Sequence, residues 1–84
     1  MGTKNRPGDF DCYANAEPDE PMFVLLDRDK HAALMVRAWA DLYRTRKLMD
    51  QAELTPHQQA KYDEAMLCAA NMDLWRIEKN ANPF

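Results

Sequence analysis

Thr55-Pro56-His57-Gln58 constrains this chain more than any other stretch, because three helix-start signals coincide in it. A threonine stands at the N-cap, a proline at the first helical position and a glutamine three residues past the cap, the spacing of a reciprocal capping box. No glycine follows Gly8, and no other proline falls between Pro21 and Pro83. The helix that opens here is therefore expected to run from residue 56 to about residue 79. Ala65, Cys68, Met72 and Trp75 form one apolar stripe along it, with Tyr62, Met66 and Ala69 beside them and Leu67 and Leu74 further round. A helix apolar over so much of its circumference must be covered on two sides.

One cover is a second helix, expected over residues 30–48. Ala32, Met35, Ala38, Trp39 and Leu42 recur there at three- and four-residue steps, and Val36 and Tyr43 widen the stripe. Asp27 or Asp29 is expected to cap it, and Arg44, Arg46 and Lys47 sit in the last turn, where the helix carbonyls end. Residues 49–54 connect the two. The fold class that follows is all-α: an antiparallel helical hairpin over residues 30–79 with an N-terminal extended or irregular segment packed over it. Trp39 and Trp75, one on each helix, are expected in the core.

The other cover is the loop segment at residues 9–29, or another subunit. Pro18 and Pro21 hold the segment's middle out of helix, since each lacks an N–H and restricts the residue before it. Weak alternation near its start predicts a short extended stretch laying Phe10, Cys12 or Tyr13 against the helices. Met22-Phe23-Val24-Leu25-Leu26 is a continuous apolar run, expected as a single helical turn or an extended pass across the core. Residues 1–8 read as a flexible arm and residues 80–84 as a tail, so the 84 residues make a single domain.

Charge narrows the function. Residues 1–29 carry three basic against seven acidic side chains, a balance of −4, whereas residues 30–84 carry eight against seven, a balance of +1. Binding to duplex nucleic acid relies on a dense basic patch, which this distribution disfavours. There is no apolar run near the ~20 residues of a bilayer span and no signal-peptide core at the start, so no membrane partner and a cytoplasmic location are expected.

Catalytic and metal readings are weaker still. Cys12 and Cys68, with His31 and His57, are too few and too scattered for a disulfide framework or a zinc site, and read as reduced thiols serving as small apolar groups. Glu17, Asp19 and Glu20 lack the glycine and distal glutamate of a calcium loop and read as a solvated acidic turn. No nucleophile, base and oxyanion donor assemble from adjacent motifs, so an enzyme is not expected, and neither is a metal or cofactor. Arg37 and Arg44, two turns apart on one helix face, offer a cationic rim that Lys30, His31 and Arg76 extend.

The blocks Cys12-Tyr13-Ala14-Asn15-Ala16 and Pro18-Asp19-Glu20-Pro21-Met22-Phe23-Val24-Leu25-Leu26 resemble those of a family of small, mostly uncharacterised bacteriophage and prophage proteins. Ala38-Trp39-Ala40 and Glu64-Ala65-Met66 are similar to that family's helical parts, while Glu17 and Asp27 depart from it, standing where apolar or small residues are expected. What the resemblance implies is an accessory, counter-defence protein acting by stoichiometric binding in the host cytoplasm. One expected target is a nucleotide-derived immune signal, such as a cyclic dinucleotide or cyclic ADP-ribose, sequestered by a homo-oligomeric sponge. Tyr13, Asn15 and Phe23 would then supply stacking and base-edge hydrogen bonds, and Arg37 and Arg44 would meet phosphates. The alternative target is a host defence protein, an anti-CRISPR-like blockade made through the acidic loop.

Overall fold

The computed structural model describes residues 1–79 and is all-α, with three helices and, among the described residues, no strand. The expected tail at residues 80–84 lies outside the described residues. Helix α1 spans Cys12–Asn15, α2 spans Ala32–Asp50 and α3 spans Pro56–Lys79. The two long helices pack antiparallel. Cross-helix pairs run from the connector outward as Gln51 with Gln58, Arg44 with Tyr62 and Arg37 with Asp73, advancing on one helix while retreating on the other.

The start of α3 follows its local signals. Gln58 N–H donates to Thr55 Oγ1 at 3.1 Å, and Thr55 N–H donates back to Gln58 Oε1 at 3.0 Å, so two otherwise orphaned donors satisfy each other's caps. Gln51 adds its amide to the same Gln58 oxygen and to Glu53 O, which ties the connector to the helix it precedes. α2 begins two residues later than the pattern suggests and ends two later. Asp29 supplies its entry turn, accepting from His31 N–H at Oδ1 (2.9 Å) and from Ala32 N–H at its carbonyl (3.0 Å), while His31 occupies the cap position with no side-chain bond. Asp27 plays no capping part.

The core corrects the expectation for the tryptophans. Among the described residues, the buried ones are Ala32, Ala33 and Ala40 from α2 and Ala65 and Ala69 from α3, and no large side chain is fully buried. Trp39 and Trp75 keep 41% and 40% of their surface exposed. Alanines, seven residues apart between Ala33 and Ala40 and four apart between Ala65 and Ala69, let the two backbones approach closely, and close approach displaces bulky neighbours on each stripe to the flanks. The seam belongs to the smallest residues of each stripe.

The N-terminal segment packs over the pair by polar ties as much as by apolar cover. Residues 9–14, expected as a short extended stretch, instead lead into one helical turn at Cys12–Asn15, because Asp11 Oδ1 accepts from Tyr13 N–H at 3.1 Å and initiates it. The apolar run at residues 22–26 has no helix and does not cross the core; Phe23 is 86% exposed and only Leu25 is half-buried. Ahead of it, Met1 folds back onto α3. Its ammonium donates to Pro7 O, Phe10 O and Glu64 Oε2 at 2.9, 2.8 and 3.0 Å. Gly8 turns the chain there with φ +85°, a conformation that L side chains rarely adopt. Among the described residues, no helix is long and apolar enough to cross a membrane.

Candidate functional site

Four-residue steps on the two long helices bring an aromatic and cationic cluster together. On α2, Trp39 and Tyr43 stack with centroids 5.1 Å apart and planes 20° from parallel. On α3, His57 meets Phe10 edge to face at 5.2 Å, and Lys61, one turn further on, reaches the same ring. Lys61 Nζ lies 5.5 Å from the centroid of Tyr43, 5.7 Å from Trp39 and 5.9 Å from Phe10. Each ring face is attractive to a cation at that range. Among the described residues, no carboxylate comes within ion-pair distance of Lys61, and its ammonium is set against aromatic faces instead.

This ammonium looks onto a cleft of about 510 Å³, walled by Phe10, Asn15, Glu20, Phe23, Trp39 and Lys61. The turn of α1 sets one side of it. Asn15 Nδ2 donates to Asp11 O at 2.8 Å, which fixes the amide, and Glu20 Oε1 accepts from Glu17 N–H at 3.0 Å, which fixes the carboxylate. The cleft therefore offers one lysine cation, an anchored amide, an anchored carboxylate and several ring faces. That set offers a bound molecule ring faces to stack on and polar contacts of both signs.

A second cleft of about 720 Å³ lies on the other side of the N-terminal segment, with Asp27, Glu64, Cys68, Asn71, Trp75 and Glu78 among its walls. Its charges are mixed, with Asp27, Glu64 and Glu78 set against Lys4, Arg28 and the Met1 ammonium. Both carboxylate oxygens of Asp27 are shut off from solvent with no hydrogen-bond partner, while Arg76 donates to the Asp27 backbone carbonyl at 3.0 Å. Burial holds the Asp27 carboxyl above its ordinary value, Arg76 opposing and Asp73 adding to the effect. Burial also pushes the Cys68 thiol up, against the Met1 ammonium and with the help of Asp27 and Glu64. Cys68 is thus kept as a neutral thiol, the form least suited to nucleophilic work. No three of His, Cys, Asp or Glu gather as a metal site among the described residues.

Of the residues singled out from the sequence, the structure brings Asn15 and Phe23 to the first cleft. Tyr13, on the same helical turn, is 76% exposed and is not among the cleft's walls. Arg37 pairs with Asp73 across the helix pair, and Arg44 lies over the Tyr62 ring at 6.0 Å, so both arginines act between the helices. Lys61 was missed, and Trp39 was assigned to the core. The signal for both was present as two i,i+4 pairs, Trp39 with Tyr43 and His57 with Lys61, but reading them as one cluster needs the register of the hairpin.

Against protein-family models, curated proteins and solved structures, the chain matches none.

Proposed function

We propose that the protein sequesters a nucleotide-derived immune signal, such as a cyclic dinucleotide or cyclic ADP-ribose, as a homo-oligomeric phage counter-defence protein that binds without turnover. The observation that carries this reading is Lys61, an ammonium ringed by Phe10, Trp39 and Tyr43, with no counter-carboxylate, at the wall of an open cleft. A nucleotide brings what that arrangement lacks, a phosphate for the cation and a base for the rings. Phe23, exposed at the same cleft, supplies a further face.

Self-association is supported by how much surface one copy leaves open. The chain exposes 6864 Å², whereas a compact monomer of 84 residues exposes about 5,200 Å². Its radius of gyration of 13.9 Å likewise exceeds the ~12 Å of a compact chain this long. Leu34, Leu42, Leu67, Leu74 and Ile77 are all exposed on α2 and α3. These side chains give a second copy of the chain apolar surface to cover.

The test is calorimetry against a panel of cyclic dinucleotides and cyclic ADP-ribose isomers, run beside light scattering. Saturable heat from at least one ligand is expected, weakened at least about tenfold in Lys61→Met through loss of the charge-assisted contact. No heat from any of them, together with a monomer in solution, overturns the reading. That result would favour a host defence protein as target, docked on the exposed acidic side chains Glu17, Asp19 and Glu20.

A further inference from the structure

Ala33 and Ala40 belong to the face of α2 that meets α3, and Leu42, two residues past Ala40, stands about 200° round the helix from it. Met35, Ala38, Leu42, Thr45 and Met49 continue that outer direction at alternating three- and four-residue steps, and all five are exposed. Met35, Leu42 and Met49 each keep more than half their surface open. No charge interrupts the stripe over about four turns. Alternating steps of three and four are the a and d positions of a heptad, the narrow seam along which one helix packs on another.

The residues beside the seam say what covers it. Leu34 and Asp41 stand at g positions and Trp39 and Arg46 at e positions. In a parallel pair of such helices each g residue meets the e residue five places on in the other helix, so Asp41 meets Arg46 of the other copy and two-fold symmetry makes the pair twice. Among the described residues, neither forms an ion pair within one copy. The same rule sets Leu34 of one copy beside Trp39 of the other, at the wall of the first cleft. An antiparallel pair lacks these matches, because g then faces g and e faces e: Asp41 meets only Asp41 or a leucine, and Arg46 only Arg46 or Trp39. The outer face of α3 fits a copy of itself poorly. Asp63 interrupts its stripe of Leu67, Leu74 and Ile77, and parallel pairing there sets Asp73 against Glu78.

We infer that the outer face of α2 is the interface of a parallel two-fold dimer, with Leu42 at its centre and Asp41 paired with Arg46 across it. The inference rests on the homo-oligomeric reading and gives it a surface. Area is sufficient: the 6864 Å² that one copy exposes exceeds the ~5,200 Å² of a compact monomer by more than the ~800 Å² that a standard interface takes from each partner.

The experiment measures mass by light scattering and dissociation by sedimentation for wild type, Leu42→Glu, Asp41→Arg, Arg46→Asp and the double charge swap, with circular dichroism to report folding. Leu42 is exposed in one copy, so Leu42→Glu is expected to keep the helical spectrum while dissociating at least about tenfold more readily, since it sets two carboxylates together in the seam. Each single charge change turns two attractive pairs repulsive and is expected to weaken association about fivefold; the double swap restores it. Asp41 and Arg46 lie five residues apart on one helix and do not face each other there, so restoration reads the contact between copies. A wild-type monomer overturns the homo-oligomeric reading and this surface together. A wild-type oligomer that Leu42→Glu leaves intact, or a double swap no tighter than the single changes, overturns this surface alone.

Discussion

Met1 and Glu64, 63 positions apart, meet at 3.0 Å, the ammonium of the first residue against a carboxylate oxygen of the last long helix. Asp9 N–H and Phe10 N–H donate to the same carboxylate at 2.7 and 3.1 Å. One half-buried side chain thus receives three donors and fastens the first ten residues to α3.

Burial by itself would raise the Glu64 carboxyl, but the hydrogen bonds from Asp9, Met1 and Phe10 outweigh it and hold the group below its ordinary value of 4.5. A depressed carboxyl stabilises the fold fully above that ordinary value, and the contribution disappears as pH falls through the folded-state value. Glu64→Gln is expected to cost roughly 1–2 kcal/mol at neutral pH and to match wild type more closely in acid. Melting temperatures of both proteins between pH 3 and pH 7 measure it; parallel curves would show that the carboxylate's charge is not what holds the arm.

Asp27 is expected to behave in the opposite sense. Its carboxyl is raised above its ordinary value of 3.8, first by burial, so its contribution is most favourable at low pH and is lost as pH rises through the folded-state value. Asp27→Asn removes a buried charge that Arg76 offsets only in part and that no donor among the described residues meets, and should stabilise the protein by on the order of 1 kcal/mol at neutral pH. The same comparison near pH 3.5 should show little gain. A variant less stable than wild type at neutral pH would mean that the carboxylate finds a partner in the assembled protein.

Gly8 sits where a side chain has neither conformation nor space. A Cβ there would stand 2.6 Å from Met1 O and 2.9 Å from Glu64 Oε1, at a φ of +85°. Gly8→Ala is expected to cost about 1–2 kcal/mol and to release the Met1 and Glu64 contact. Faster amide exchange at Asp9 and Phe10 in the variant, with α2 and α3 unchanged, is the signature.

Trp39→Ala should separate binding from stability. The ring is 41% exposed, so its loss opens no enclosed cavity and is expected to cost about 1–2 kcal/mol, mostly the Tyr43 stack and partial apolar cover. Lys61 loses one of its three ring faces, and affinity for the nucleotide ligand should fall at least about tenfold. Thermal melts alongside calorimetry read the two effects; complete unfolding of the variant would return Trp39 to the core.

What the sequence determined by itself is local. The capping box at Thr55 and Gln58, the proline at the first helical position and the glycine-free stretches set both long helices and their connection, because each signal acts within one helical turn. Tertiary structure decided which face of each helix became the seam. Stripes that mixed alanine with tryptophan, methionine and leucine allowed several rotations, and close backbone approach selected the alanines, sending Trp39 outward to Lys61. It likewise placed Asn15 and Phe23 in the cleft with Lys61 while pairing Arg37 with Asp73, and it shut Asp27 in without a partner. These outcomes depend on the register between segments as many as 63 residues apart, as between Met1 and Glu64, and no local propensity encodes a distance of that kind.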